Sequence, residues 1–99
     1  MRLVAVTACP TGVAHTYMAA EQLEKTAKKL GHSIKVETQG AIGIENELSQ
    51  ADIDAADAVI IAADIALEAP ERFARLRKVE VPVQMALKNP QAIFAKLAE

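Results

Sequence analysis

Leu3-Val4-Ala5-Val6-Thr7-Ala8-Cys9-Pro10-Thr11-Gly12-Val13-Ala14-His15-Thr16 is the stretch on which the fold turns. Leu3 to Ala8 is a short, Val-rich, mostly apolar run that ends at Cys9-Pro10-Thr11-Gly12. That pattern suits a strand buried on both faces and followed by a turn. From Val13 to Leu30 the period changes, with Ala14, Met18, Leu23, Ala27 and Leu30 spaced for one helix face. Glu21–Lys25 and Glu24–Lys28 fall four apart, the acid first, which is the favourable order in a helix. Gly31 is placed to end that helix in a left-handed conformation. Strand, turn and amphipathic helix in this order make the first half of a βαβ unit.

The rest of the chain repeats the alternation. Ser33 to Thr38 sets Ile34 and Val36 against Lys35 and Glu37, as in a strand with one apolar and one polar face. Gly40-Ala41-Ile42-Gly43 reads as a loop. Ser49 with Asp52 has the spacing of a capping box, and Leu48 with Ile53 that of a hydrophobic staple, so a helix is expected over 50–56. Ala58 to Ala63 (AVIIAA) is the most apolar segment and reads as a central strand ending at Asp64. A short helix should start at Pro70 and carry Phe73 and Leu76. Val79 and Val81 suggest a weak edge strand closed by Pro82, and a final helix begins near Asn89-Pro90 with Ile93, Phe94 and Leu97 on one side. The expectation is an α/β domain, an open four-stranded parallel sheet flanked by helices with right-handed crossovers. In such sheets ligands collect beyond the carboxyl ends of strands. The Cys9 loop and Asp64 both fall there.

Composition narrows the function. With 99 residues, 52% hydrophobic and 24% charged, the chain fits one globular domain. Tyr17, Phe73 and Phe94 are the only rings, so a base-stacking platform for nucleic acid is excluded, and a formal net charge of −2 argues against a polyanion partner. A single cysteine rules out an intramolecular disulfide and a Cys-rich metal site, so no cofactor or metal is expected. The N-terminus does not read as a signal peptide, and no segment approaches the roughly 18–20 apolar residues of a membrane span. The chain therefore reads as cytoplasmic, with no direct membrane insertion.

Cys9 is then packing or chemistry. A lone cysteine is more often a small buried hydrophobe, but a packing cysteine belongs within a strand or on a helix face, not between a strand end and Pro-Thr-Gly. Backbone N–H groups of the first helical turn lack intrahelical acceptors and carry the positive end of the dipole, so an anion is favoured there without Lys or Arg. Cysteines in such positions are commonly thiolates at neutral pH. Gly12 frees the turn, Pro10 stiffens it, and Thr11 and Thr16 supply hydroxyls. His15, six residues after Cys9, is an extra donor to the anion or a proton partner for the thiol; His32 reads as ordinary surface. Phosphoryl exchange would require Cys9 to be reachable from outside. The phosphate loop G-x-x-x-x-G-K-[ST] and the dinucleotide fingerprint G-x-G-x-x-G are both absent. A C-x5-R loop, as in thiol-dependent phosphatases and arsenate reductases, would need Arg where His15 stands.

VTACPTGVAHTYMAAEQLE, KVETQGAIGIEN and AADAVIIAADIALE, in that order, closely resemble the enzyme IIB component of the fructose family of the bacterial phosphoenolpyruvate-dependent sugar phosphotransferase system. The resemblance spans roughly residues 2–76, and Cys-Pro-Thr-Gly-Val-Ala-His-Thr is its most specific part. It implies a Rossmann-like domain over residues 1–99, an EIIB type-2 (fructose-like) domain, with the phosphocysteine loop after the first strand. It implies a phosphotransferase in which Cys9 takes a phosphoryl group from a phosphohistidine of a IIA component. That group passes to a sugar, fructose by the resemblance, held by the membrane-embedded IIC component, which would keep the domain at the inner face of the membrane. On the same matching Thr11, Gly12, Val13, Ala14, His15 and Thr16 surround the phosphocysteine. Two other readings stand beside it: a thiol-dependent phosphatase or arsenate reductase, and a non-enzymatic anion-binding module with an inert Cys9.

Overall fold

The computed structural model describes residues 1–9, 13–40 and 43–98, with the backbone alone at Val13 and Ala14. Five strands form one sheet: β1 (Arg2–Ala8), β2 (Ser33–Gly40), β3 (Gly43–Glu45), β4 (Ala58–Ala63) and β5 (Arg77–Val81). Their order is β3-β2-β1-β4-β5. β1 pairs in parallel with β2 on one side and β4 on the other, β5 continues in parallel from β4, and β3 returns antiparallel to β2. The helices are α1 (Val13–Lys29), α2 (Gln50–Ala55), α3 (Val83–Lys88) and α4 (Pro90–Leu97), with a 3-10 turn over Pro70–Phe73.

The side chains of β1 explain the layers. Leu3 and Ala5 point into one core with Ala19, Leu23 and Ala27 of α1, Ala86 of α3, and Ile93, Phe94 and Leu97 of α4. Val4 and Val6 point into a second core with Leu48, Ile53 and Phe73, under α2 and the 3-10 turn. A strand buried on both faces is apolar at almost every position, which is why the first run reads continuously rather than alternating. The winding starts at β1, moves outward to β2, then returns to the other side for β4 and β5. The carboxyl end of β1 is therefore the point where the winding direction reverses.

The α/β architecture and its flanking helices are those the sequence predicts, and several details differ. The sheet has five strands rather than four because Gly43–Glu45 pair back on β2 as β3; of the expected loop, Gly40 and Gly43 are strand residues and positions 41–42 lie outside the described residues. Gly43 sits at φ 100°, a conformation that glycine adopts without a Cβ penalty. Three residues are too few to show a period of two. Helix α3 was not expected: Pro82 does close β5, but it also serves as the N-terminal cap of a six-residue helix whose inward positions are only Val83 and Ala86. The segment after Pro70 is a single 3-10 turn rather than an α-helix. Gly31 ends α1 at φ 79°, as its position suggested.

The capping box forms in both directions. Ser49 Oγ accepts from Asp52 N and Asp52 Oδ2 accepts from Ser49 N, each at 3.1 Å. Leu48 and Ile53 pack in the second core, completing the staple. Asp52 also pairs with Lys35 at 2.9 Å, tying α2 to β2. Ser49→Ala should lower the unfolding free energy by about 0.5–2 kcal/mol, read as a lower urea midpoint with unchanged slope.

Candidate functional site

Cys9 follows directly on β1, at the reversal point of the sheet, and its amide donates to the Gln39 carbonyl at 3.4 Å. On the other side Asp64 N donates to the Ala8 carbonyl at 3.0 Å, so the ends of β1, β2 and β4 are stitched together around Cys9. Helix α1 begins at Val13 and has no acidic residue in its first turn to compete with a bound anion, while Lys28 and Lys29 sit at its far end. Thr7 Oγ1 donates to the Thr16 carbonyl at 3.1 Å within the protein interior, pinning the start of α1 to β1.

The sequence-predicted residues divide as follows. Cys9 follows β1, and Thr16, fully buried, is tied to the same strand through Thr7, while its neighbour His15 is exposed. Thr11 and Gly12 lie outside the described residues, as do the side chains of Val13 and Ala14. Cys9 was expected to be reachable, yet it is only 5% exposed. The cause is the strand alternation: Leu3, Ala5, Thr7 and Cys9 share the face that α1 covers. Asp64 is spent on structure, since its Oδ1 accepts from Val83 N at 3.2 Å and caps α3, where Pro82 has no side chain able to do so. His32 is more than ordinary surface: its ring stacks on Phe94 at 5.9 Å between centroids, and Nδ1 meets the terminal amine at 3.3 Å.

Sequence reading missed the polar network beside the site. Glu37 was assigned to a polar strand face and is instead fully buried. Its carboxylate accepts from Arg72 Nη1 at 2.8 Å, Arg72 Nη2 at 3.0 Å, Gln39 Nε2 at 2.7 Å and Leu48 N at 3.0 Å. Burial pushes the Glu37 carboxyl upward, but the hydrogen bonds from Arg72, Gln39 and Leu48 and the Arg72 charge outweigh it, leaving the group below its ordinary value. Arg72 is raised, chiefly by the bond to Glu37. A charged residue within an otherwise half-apolar strand was the only signal, and nothing in the sequence paired it with a residue 35 positions on. The Tyr17 contact was likewise unread: its hydroxyl donates to the Glu45 carboxylate, joining α1 to β3, and that bond raises the Tyr17 pKa.

Cys9 thus stands between the end of β1 and the start of α1, and two arginines among the described residues are committed elsewhere. Both terminal nitrogens of Arg72 are engaged by Glu37, and Arg77 binds the Leu97 and Lys96 carbonyls at 2.8 Å. The family model described as "PTS system, Lactose/Cellobiose specific IIB subunit" matches residues 4–96. The chain belongs to this IIB family. It is 53% identical over 96 residues to the PTS system fructose-like EIIB component 2 of Escherichia coli (strain K12), covering 97% of this chain and 91% of that one. It is 52% identical to the fructose-like PTS system EIIBC component of the same organism, covering 98% of this chain and 20% of that longer protein. The solution structure of the Enzyme IIB subunit of the PTS system from Escherichia coli K12 superposes with a TM-score of 0.92 at 42% identity, covering 99% of this chain and 91% of that one. The likeness thus continues past residue 76, beyond which the resemblance read from the sequence fades. IIB components are phosphotransferases that carry a phosphoryl group in sugar uptake, and the phosphatase alternative finds no support among these relatives. No helix among the described residues is long and apolar enough to cross a membrane.

The lowered Glu37 carboxyl has a consequence for stability. A carboxylate depressed on folding adds stability that is present above its unfolded value and is lost as pH falls through the folded one. Glu37→Gln should therefore unfold at clearly lower urea than the unsubstituted protein at pH 7. The gap should narrow on acidification below the ordinary glutamate pKa of about 4.3. A gap that stayed constant down to full protonation would show that the carboxylate charge is not what Arg72 binds.

Proposed function

We propose that residues 1–99 form one fructose-like EIIB domain that carries a phosphoryl group on Cys9 between a IIA phosphohistidine and a sugar at a membrane-embedded IIC component. The observation that carries this reading is the position of Cys9: first residue beyond the central strand, at the winding reversal, ahead of α1 and with its amide fixed by Gln39. In the first step the Cys9 sulfur attacks phosphorus in line and a P–S bond forms, while the P–N bond breaks with its electron pair returning to the donor imidazole nitrogen, which takes up the proton the thiol gives up. In the second a sugar hydroxyl oxygen attacks phosphorus, the P–S bond breaks, the thiolate returns and the hydroxyl proton is released. Thr11, Gly12, Val13, Ala14, His15 and Thr16 are the proposed phosphate-binding residues. Their backbone donors and hydroxyls at the helix start offset the roughly −1.5 to −2 charge of the phosphoryl group.

The partners follow from the same reading. Fusion of a IIB-like segment in the EIIBC relative supports a IIC partner, and the fructose-specific EIIABC relative of Bacillus subtilis, 48% identical over 95 residues, supports a IIA donor. The fructose-like names of the relatives described above favour a fructose-like sugar over the lactose or cellobiose of the family description. The domain would work in the cytoplasm at the inner membrane face. Catalysis here is positioning and electrostatics, since the transferred group has little covalent chemistry of its own for a protein to assist.

Incubation with phosphoenolpyruvate and the preceding relay proteins should place one phosphoryl group on Cys9, located by mass spectrometry of the intact and digested protein. Cys9→Ser should lose at least about 100-fold in acceptance rate, as removal of a covalent nucleophile does. Acceptance by Cys9→Ser at the unsubstituted rate would overturn the assignment.

A further inference from the structure

The loop from Asp64 to Ala69, between β4 and the 3-10 turn, is held by side chains rather than by secondary structure. Gln39 Oε1 accepts from Glu68 N at 2.9 Å and Gln39 Nε2 donates to the Glu68 carbonyl at 3.3 Å, so one amide side chain holds both backbone groups of that residue. Arg72 donates from Nη2 to the Glu68 carbonyl at 3.3 Å and from Nε to the Ala69 carbonyl at 2.9 Å. Ala69 itself is left-handed at φ 51°, ψ 50°. A residue with a Cβ holds that conformation at a cost of about 1–3 kcal/mol, and does so where its surroundings over-determine it. Glu37 closes the network by fixing Arg72 and Gln39 together.

Stability alone does not account for this device. Burying a carboxylate and a guanidinium costs about as much in desolvation as their attraction returns, and an apolar pair of the same volume often does at least as well. What the network supplies is geometry, and the loop it shapes starts at the site: Asp64 N is bonded to the carbonyl of Ala8, the residue before Cys9. On its outer side the loop presents Ile65, 42% exposed, and exposed Ala66. Gln39 joins the two features, holding the loop through its side chain and Cys9 N through its carbonyl.

We propose that Arg72, locked by Glu37, is a positioning residue that shapes residues 64–69 into part of the surface on which a phosphoryl-carrying partner protein docks beside Cys9. The proposal rests on the phosphocarrier reading above. Arg72 acts through the loop and does not touch the transferred group, so it sets partner affinity rather than the reactivity of sulfur.

Two variants test it. Glu37→Met combined with Arg72→Met replaces the pair by apolar side chains and should keep the fold; Arg72→Lys keeps one charge but loses the fork that reaches Glu68 and Ala69. Initial rates of acceptance are measured at varied concentrations of the phosphorylated IIA donor, with circular dichroism for folding and iodoacetamide alkylation of Cys9 across pH as a separate readout. In whichever variant is folded, KM for the donor should rise at least about fivefold with kcat within about twofold. The alkylation profile should match the unsubstituted protein. An unchanged KM in a folded variant overturns the proposal, as does a raised KM accompanied by an altered alkylation profile, which would place the effect on the nucleophile. If the unsubstituted protein takes no phosphoryl group from the donor, the phosphocarrier reading itself falls and the docking proposal with it.

Discussion

Everything at the candidate site depends on β1 being paired along both edges and covered on both faces. Its parallel partners fix its height in the sheet, α1 and the two C-terminal helices cover one face, and α2 and the 3-10 turn cover the other. A strand so constrained has no freedom at its carboxyl end except forward, into the segment that carries Cys9. The Thr7 hydroxyl then fixes the start of α1 by bonding to the Thr16 carbonyl, a buried contact between two residues nine apart in sequence. The end of β1 and the first turns of α1 are thus held together through the core.

The surroundings of Cys9 divide into two kinds of support. On the α1 side it is chain-local: the helix starts at Val13, four positions after Cys9. On the opposite side it is long-range: the Gln39 carbonyl brings the end of β2 and the Asp64 amide the end of β4, while the Gln39 side chain and Arg72 of the 3-10 turn meet on a fully buried Glu37. The apolar layers supply most of the stabilisation and the polar ring supplies the shape of one loop. The Arg72 guanidinium is committed to the Glu37 carboxylate and the loop carbonyls rather than available to a phosphate.

Chain-local features were legible in the sequence. The change from a continuous apolar run to helical spacing marked β1 and α1; Ser49 with Asp52 marked the start of α2; Gly31 marked the end of α1; AVIIAA marked β4. Cys9 stood out because Pro-Thr-Gly followed it at a strand end, and the family likeness agrees with the fold so derived. What escaped were short elements and distant pairings. β3 and α3 hold three and six residues, too few for a periodic signal to rise above chance. Glu37 looked solvent-facing because alternation reports which residues share a face and says nothing about what covers that face.

By itself, then, the sequence determined the alternation of strands and helices, the central place of β1 and the candidate cysteine, since each follows from the spacing of residues near one another along the chain. Only the tertiary structure decided that the second face of β2 is roofed by the 3-10 turn, that Asp64 caps α3, and that Cys9 lies mostly beneath the surface. Those outcomes depend on which side chains meet across strands separated by tens of residues. Such meetings are set by sheet order and packing, and local periodicity carries no record of them.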